Sequence, residues 1–273
     1  MKIALLAFTV ACLPLLTFGK KLTSPELEAK LIRGISALIE NNQTIPLTEL
    51  NTQLKKAVGK KVKIPKVSSF VYDPQSLYEL CKPSTLIVAR LYKCEHCTNW
   101  HSGAATGFPL TKDGIFATNY HVLEQTDGKT FAVMDTGGKI YPITEVLAAD
   151  KESDVAIVRA KGATFRPLPL GEPAKIGSNV HVISHPDGIF YYYSKGMVSL
   201  YDRMNGKPRT QWMMISADYA RGSSGAPVLN DSGEVVGMVA STQTINYEKR
   251  KMTNSQMVVR FCAPVDAIRE LIE

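Results

Sequence analysis

From Ser84 to Phe261 the apolar residues fall in short runs separated by turn-forming clusters. Thr85 to Tyr92, Ala105 to Leu110, Ile115 to Thr118, Thr130 to Met134, Val155 to Arg159, Val180 to Ile183, Tyr191 to Ser199, Gln211 to Ala217, Ala226 to Leu229, Val235 to Ser241 and Gln256 to Phe261 are rich in β-branched, aromatic or other apolar residues. Between them lie Lys112-Asp113-Gly114, Thr136-Gly137-Gly138, Pro186-Asp187-Gly188 and Asn230-Asp231-Ser232-Gly233. Glycine supplies positive φ in such turns, and Asp or Asn side chains hydrogen-bond their own backbone. Many short strands with frequent turns predict an all-β domain, an antiparallel sandwich or barrel.

The flanks follow a different period. Ser24-Pro25-Glu26 predicts a helix start with Ser24 as N-cap, and Leu27, Leu31, Ile35, Leu38 and Ile39 recur at helical spacing. Asn41-Asn42 interrupts this helix; Leu47, Leu50, Leu54 and Val58 mark a second, stopped by Gly59. Residues 20 to about 64 therefore read as a helical hairpin with one apolar face, too small to stand alone and expected to dock on the main domain, another subunit or a partner. Ile64 to Pro74 reads as a linker, and Val265, Ile268, Leu271 and Ile272 predict a C-terminal helix.

At 273 residues and 45% hydrophobic content, the chain can bury a substantial core. Lys2, the apolar run Ile3 to Leu16 and small residues before Lys20 predict a secretory leader over 1–19, too short to span a membrane. The expected organisation is a leader (1–19), a helical extension with linker (20–74) that reads either as a prosegment or regulatory module or as structural trim, and a main domain (75–273), exported to a periplasmic or extracellular location without a stable membrane anchor. The formal charge of +7 falls to +6 without Lys2, and much of the excess lies in Lys55-Lys56, Lys60-Lys61, Lys63 and Lys66. No aromatic residue is interleaved there, so a solvated face is expected and no nucleic-acid partner. Four cysteines remain after the leader, and Cys94–Cys97 with Cys81–Cys262 is the simplest of their three pairings. The competing reading of Cys94, His96, Cys97 and His101 is a zinc site, although the expected set of sites contains no metal.

The chemistry concentrates at Arg221-Gly222-Ser223-Ser224-Gly225-Ala226-Pro227. Glycines beside a serine permit a tight turn that exposes the hydroxyl and turns amides inward, the geometry of an acyl-transfer nucleophile. A serine hydroxyl needs a base, and the base needs an orienting group. His121 in Thr118-Asn119-Tyr120-His121-Val122-Leu123 and Asp154 in Ser153-Asp154-Val155-Ala156-Ile157-Val158 precede Ser224, giving the order His, Asp, Ser. In these three segments, and in Lys195-Gly196-Met197-Val198-Ser199 and Ala263-Pro264-Val265-Asp266, residues 84 to 273 resemble the trypsin-fold serine proteases, specifically their HtrA-like bacterial branch.

The resemblance implies two antiparallel six-stranded β-barrels with the active site between them, a C-terminal helix, and endopeptidase activity on protein or peptide substrates without a cofactor. It assigns Ser224 as nucleophile, His121 as general base and acid, Asp154 as orienter, and the Gly222 and Ser224 amides as oxyanion hole. Ser223 stands where digestive enzymes carry an aspartate that pairs with a newly cut N-terminus, so that activation switch is not expected. Ala226 replaces a common second glycine, and the PDZ domain typical of HtrA proteases is not expected. Asp218 holds the register of a trypsin-type pocket acid, which would favour Arg or Lys, with Ala240, Ser241 and Thr242 as the pocket wall. His185 is expected in a turn, and Phe190 to Tyr193 as strand and core filler. The alternative to an enzyme is a catalytically silent trypsin-fold binding protein.

Overall fold

Among the described residues of the computed structural model (22–68, 75–204, 207–248 and 250–273), twelve strands close into two antiparallel barrels of six. The expected leader and part of the linker lie outside these residues. The first barrel comprises β1 (Leu86–Lys93), β2 (Trp100–Pro109), β3 (Ile115–Thr118), β4 (Thr130–Met134), β5 (Ile140–Asp150) and β6 (Val155–Ala160), closing in the order β1-β2-β3-β6-β5-β4. The second comprises β7 (Asn179–Ser184), β8 (Tyr192–Met204), β9 (Lys207–Ile215), β10 (Pro227–Leu229), β11 (Val235–Glu248) and β12 (Thr253–Pro264), in the order β10-β11-β12-β9-β8-β7. Val88, Phe116, Val133 and Val158 fill the first barrel, and Val180, Val198, Met213 and Val228 the second. A further cluster runs between the barrels through Phe108, Trp212, Met238 and Phe261.

Strand β5 has no counterpart among the apolar runs. Pro142 and Glu145 break its pattern, and its register against β6 slips between Ile143 and Glu145 and again between Val146 and Ala148. A side-chain amide fills the first irregularity: Gln53 Oε1 accepts from the Val146 N–H (2.9 Å) and Gln53 Nε2 donates to the Thr144 carbonyl (3.4 Å). Backbone groups orphaned by a bulge must find such partners.

The two N-terminal helices form, α1 over Ser24–Glu40 and α2 over Leu47–Ala57, and a short helix α3 (Leu77–Cys81) precedes the first barrel. Thr23, not Ser24, is the N-cap of α1. Glu26 stands three residues after Thr23, so the two close a reciprocal capping box in which the Thr23 N–H donates to Glu26 Oε2 at 2.7 Å. Ser24 Oγ accepts instead from the Phe190 N–H at 3.0 Å. The hairpin expectation also needs correction: α1 packs on β1, β2 and β5, while α2 packs on β5 and on the α4 turn (Tyr120–Leu123). Leu31, Ile35, Leu50 and Leu54 are thereby buried against the first barrel and its surroundings. Beyond α2, Val58 bridges Ala149 of β5, and Val62 bridges Ile272, just past the C-terminal helix α5 (Val265–Arg269). The basic residues of 55–66 face solvent.

Candidate active site

Strand pairing brings the histidine and the aspartate together. In the β3–β6 ladder Thr118 faces Ala156; His121 follows three residues beyond Thr118, and Asp154 precedes Ala156 by two. Asp154 has φ of 58°, a left-handed conformation that Asp and Asn tolerate better than most residues. Its carbonyl accepts from Asn119 Nδ2 (2.8 Å) and from the Tyr120 N–H (3.3 Å), which anchors the α4 turn. The buried carboxylate holds His121 at two points: Oδ1 accepts from the His121 backbone N–H at 2.9 Å, and Oδ2 accepts from Nδ1 at 2.7 Å. With the Nδ1 proton engaged, Nε2 carries the lone pair, and it lies 3.1 Å from Ser224 Oγ.

Ser224 belongs to the second barrel, in the turn before β10. The Thr106 N–H of β2 donates to the Ser224 carbonyl (2.8 Å), and Thr106 Oγ1 donates to the Gly222 carbonyl (3.0 Å), so the first barrel grips this turn from across the cleft. Gly222 (φ 95°) and Gly225 (φ 86°) both need glycine's backbone freedom. Within the turn the amides of Ser223, Gly225 and Ala226 donate to Ala220, Val239 and Ser223 carbonyls. The Arg221 carbonyl accepts from the Asp187 N–H at 2.7 Å. In a trans peptide the N–H points opposite its carbonyl, so the Gly222 amide faces away from the 185–188 loop. His121, Arg221, Gly222 and Ser224 line a cavity of about 140 Å³ together with Gly103 and Ala104 of β2.

Behind this turn sits a residue whose role the sequence did not reveal. His185 heads the expected turn, yet its ring is fully buried: Nε2–H donates to the Leu86 carbonyl at 3.2 Å, and Nδ1 accepts from the Tyr191 N–H at 3.1 Å. Burial pushes its pKa down to about 3, which keeps the imidazole neutral. A Cβ on Gly222 would stand 2.4 Å from the His185 carbonyl oxygen. Tyr191, expected within a strand, instead takes a positive φ of 62° just before β8 and is buried beside His185. His181 is also buried, between Tyr193 Oη (2.7 Å) and Asp231 Oδ1 (2.8 Å).

The residues expected to form the pocket distribute differently. Asp218 is no buried acid: its side chain is 69% exposed and ion-paired with Arg260 of β12. Arg260 lies opposite Thr242 in the β11–β12 register and reaches Asp218 from there; no local motif announces it. Ala240 is buried, and its carbonyl lies 3.4 Å from Ser224 Oγ; Ser241 and Thr242 continue along β11 with exposed side chains. The Ser241 carbonyl accepts from Tyr219 Oη at 3.1 Å.

Neither expected disulfide is present. All four cysteines are free, and Cys81 and Cys262 belong to different core clusters. Burial pushes the Cys81 thiol up to about 11 and the Cys262 thiol up to about 12, so both behave as small apolar residues. Cys94 and Cys97 lie with their sulfurs 3.3 Å apart, unlinked, and Cys97 Sγ is 3.0 Å from His101 Nε2.

Comparison with known proteins matches residues 105–238 to the family model described as a trypsin-like peptidase domain. The chain is 29% identical over 173 residues to a DegP-like periplasmic serine endoprotease of Halomonas elongata, covering 62% of this chain and 34% of that protein. It is 30% identical over 172 residues to a DegP-like periplasmic serine endoprotease of Hahella chejuensis (61% and 34%). With the chloroplastic Protease Do-like 1 of Arabidopsis thaliana it shares 27% over 180 residues (63% and 39%). The chain thus spans little more than a third of the length of these relatives. The matched span begins in β2, beside Thr106, and ends in β11, just past the Ser224 turn, so it takes in both sides of the cleft between two six-stranded barrels, and these residues carry a trypsin-like peptidase domain.

Proposed function

We propose that this chain is an exported serine endopeptidase that hydrolyses peptide bonds in protein or peptide substrates through His121, Asp154 and Ser224. The observation that carries this reading is the unbroken hydrogen-bond chain from Asp154 Oδ2 through His121 to Ser224 Oγ, 2.7 and 3.1 Å long. Ser224 attacks the scissile carbonyl while His121 Nε2 takes its proton; the same proton then goes to the leaving amine. Asp154 holds the ring in the Nδ1–H tautomer and stabilises the imidazolium that forms. A water molecule, deprotonated by His121, hydrolyses the acyl-enzyme. The amides of Gly222 and Ser224 hold the oxyanion, each such donor being worth about 10²–10³ in turnover.

The ion pair between Asp218 and Arg260 leaves no net negative charge to attract a basic side chain, so primary specificity is not directed at Arg or Lys. Export is supported by the leader pattern of residues 1–19 and by relatives named as periplasmic. Helices α1 and α2 of the extension act as a structural part of the peptidase, since their apolar faces are buried on the first barrel. Labelling with a fluorophosphonate probe tests the mechanism: the wild-type chain should label and Ser224→Ala should not. Equal labelling of the two would overturn the role of Ser224, and no labelling of folded wild type would favour a silent binding protein.

A further inference from the structure

We propose that Cys94, Cys97 and His101, at the tip of the β1–β2 hairpin, form a zinc-binding site. Their donor atoms all lie within 4.8 Å of one another. The two sulfurs are 3.3 Å apart, and Cys97 Sγ is 3.0 Å from His101 Nε2, so the three side chains converge on one point instead of spreading into solvent. The His101 ring lies against Tyr92, its partner in the β1–β2 register, with centroids 5.5 Å apart, and this directs Nε2 at Cys97 Sγ.

Two thiolates and an imidazole are soft and borderline ligands, which select zinc over magnesium or calcium. Tetrahedral zinc, with bonds of about 2.3 Å to sulfur and about 2.0 Å to nitrogen, requires the Cys94–Cys97 and Cys97–His101 pairs to open by only about half an ångström. Cys97 is exposed, so water completes the fourth position. His96 sits between the cysteines but outside the cluster. The consequence reaches the cleft, because Gly103, two residues after His101, lines the cavity that holds His121 and Ser224. An ion at the tip would fix the strand end immediately before that wall.

Zinc binding displaces protons from the thiols and involves no electron transfer, whereas a Cys94–Cys97 disulfide would remove two electrons and two protons and abolish the site. The test uses the full chain isolated from an exporting host without reductant, with zinc measured by elemental analysis and thiols by alkylation mapping. About one zinc per chain, with Cys94 and Cys97 both alkylatable after chelation, is expected. Cys94→Ser/Cys97→Ser should hold none, His101→Ala should bind at least ~10-fold more weakly, and His96→Ala should match wild type. Cobalt substitution should give a thiolate-to-metal charge-transfer band that the double serine variant lacks while keeping the wild-type circular dichroism. A Cys94–Cys97 disulfide in the isolated chain, a zinc-free chain with both thiols free, or equal zinc in the folded double variant would overturn the proposal. None of these readouts depends on peptidase activity.

Discussion

Gly225 of the second barrel lies directly against the Thr106 carbonyl of the first: a Cβ at position 225 would stand 2.1 Å from that oxygen and 2.6 Å from Thr118 Oγ1. The opposing atom is backbone, held in the ladder that carries His121, so it cannot step aside. Gly225→Ala adds this clash to the strain of a side chain at φ 86°. The variant should lose at least ~2 kcal/mol of stability and most of its peptidase activity. Thermal unfolding together with kcat/KM on a peptide substrate checks this, and wild-type values in both would contradict the cross-barrel contact.

The pairing of Asp218 with Arg260 sets an expectation for substrates. A peptide series differing only in the residue before the scissile bond should show less than about a tenfold advantage for Arg or Lys over apolar residues. Arg260→Ala frees the carboxylate and should move the ratio a few-fold toward basic residues, limited by solvent screening of the exposed Asp218. A strong wild-type preference for Arg would mean that the ion pair opens to admit substrate.

His185 makes stability depend on pH. Unfolded, it takes up a proton near its ordinary pKa of 6.5; folded, it does so only at about 3. Unfolding therefore binds a proton between those values. This contribution to stability is complete above pH 6.5 and declines as the pH falls toward 3, by roughly 1.4 kcal/mol per pH unit. In His185→Gln, which has nothing to protonate, the urea midpoint should fall less steeply than in wild type between pH 6.5 and 4.5. Parallel curves would show that the ring accepts a proton while folded.

The barrels were largely readable because each of eleven strands combines β-branched or aromatic residues with a chemically explicit turn. The site was readable because His121, Asp154 and Ser224 each sit in a local motif next to a strand end. What escaped depends on contacts distant in sequence. Strand β5 carries a proline and two register slips, and it is completed by Gln53 from a different element. The roles of His185 and Arg260 arise from Leu86 and Asp218, 99 and 42 residues away. The helical period located α1 and α2 but not their neighbour, since an apolar face fits a barrel as well as another helix. The cysteine count suggested disulfides, and only the placement of Cys81 and Cys262 in separate clusters removes that pairing.

Val58 and Val62 are four residues apart, yet the first bridges Ala149 of the first barrel and the second bridges Ile272 beside the last helix of the second. This short length of chain thereby joins the two halves of the molecule. His121 rides on one half and Ser224 on the other. These two residues stand 3.1 Å apart, and the segment that joins the halves belongs to neither barrel and lies outside the lining of their cavity.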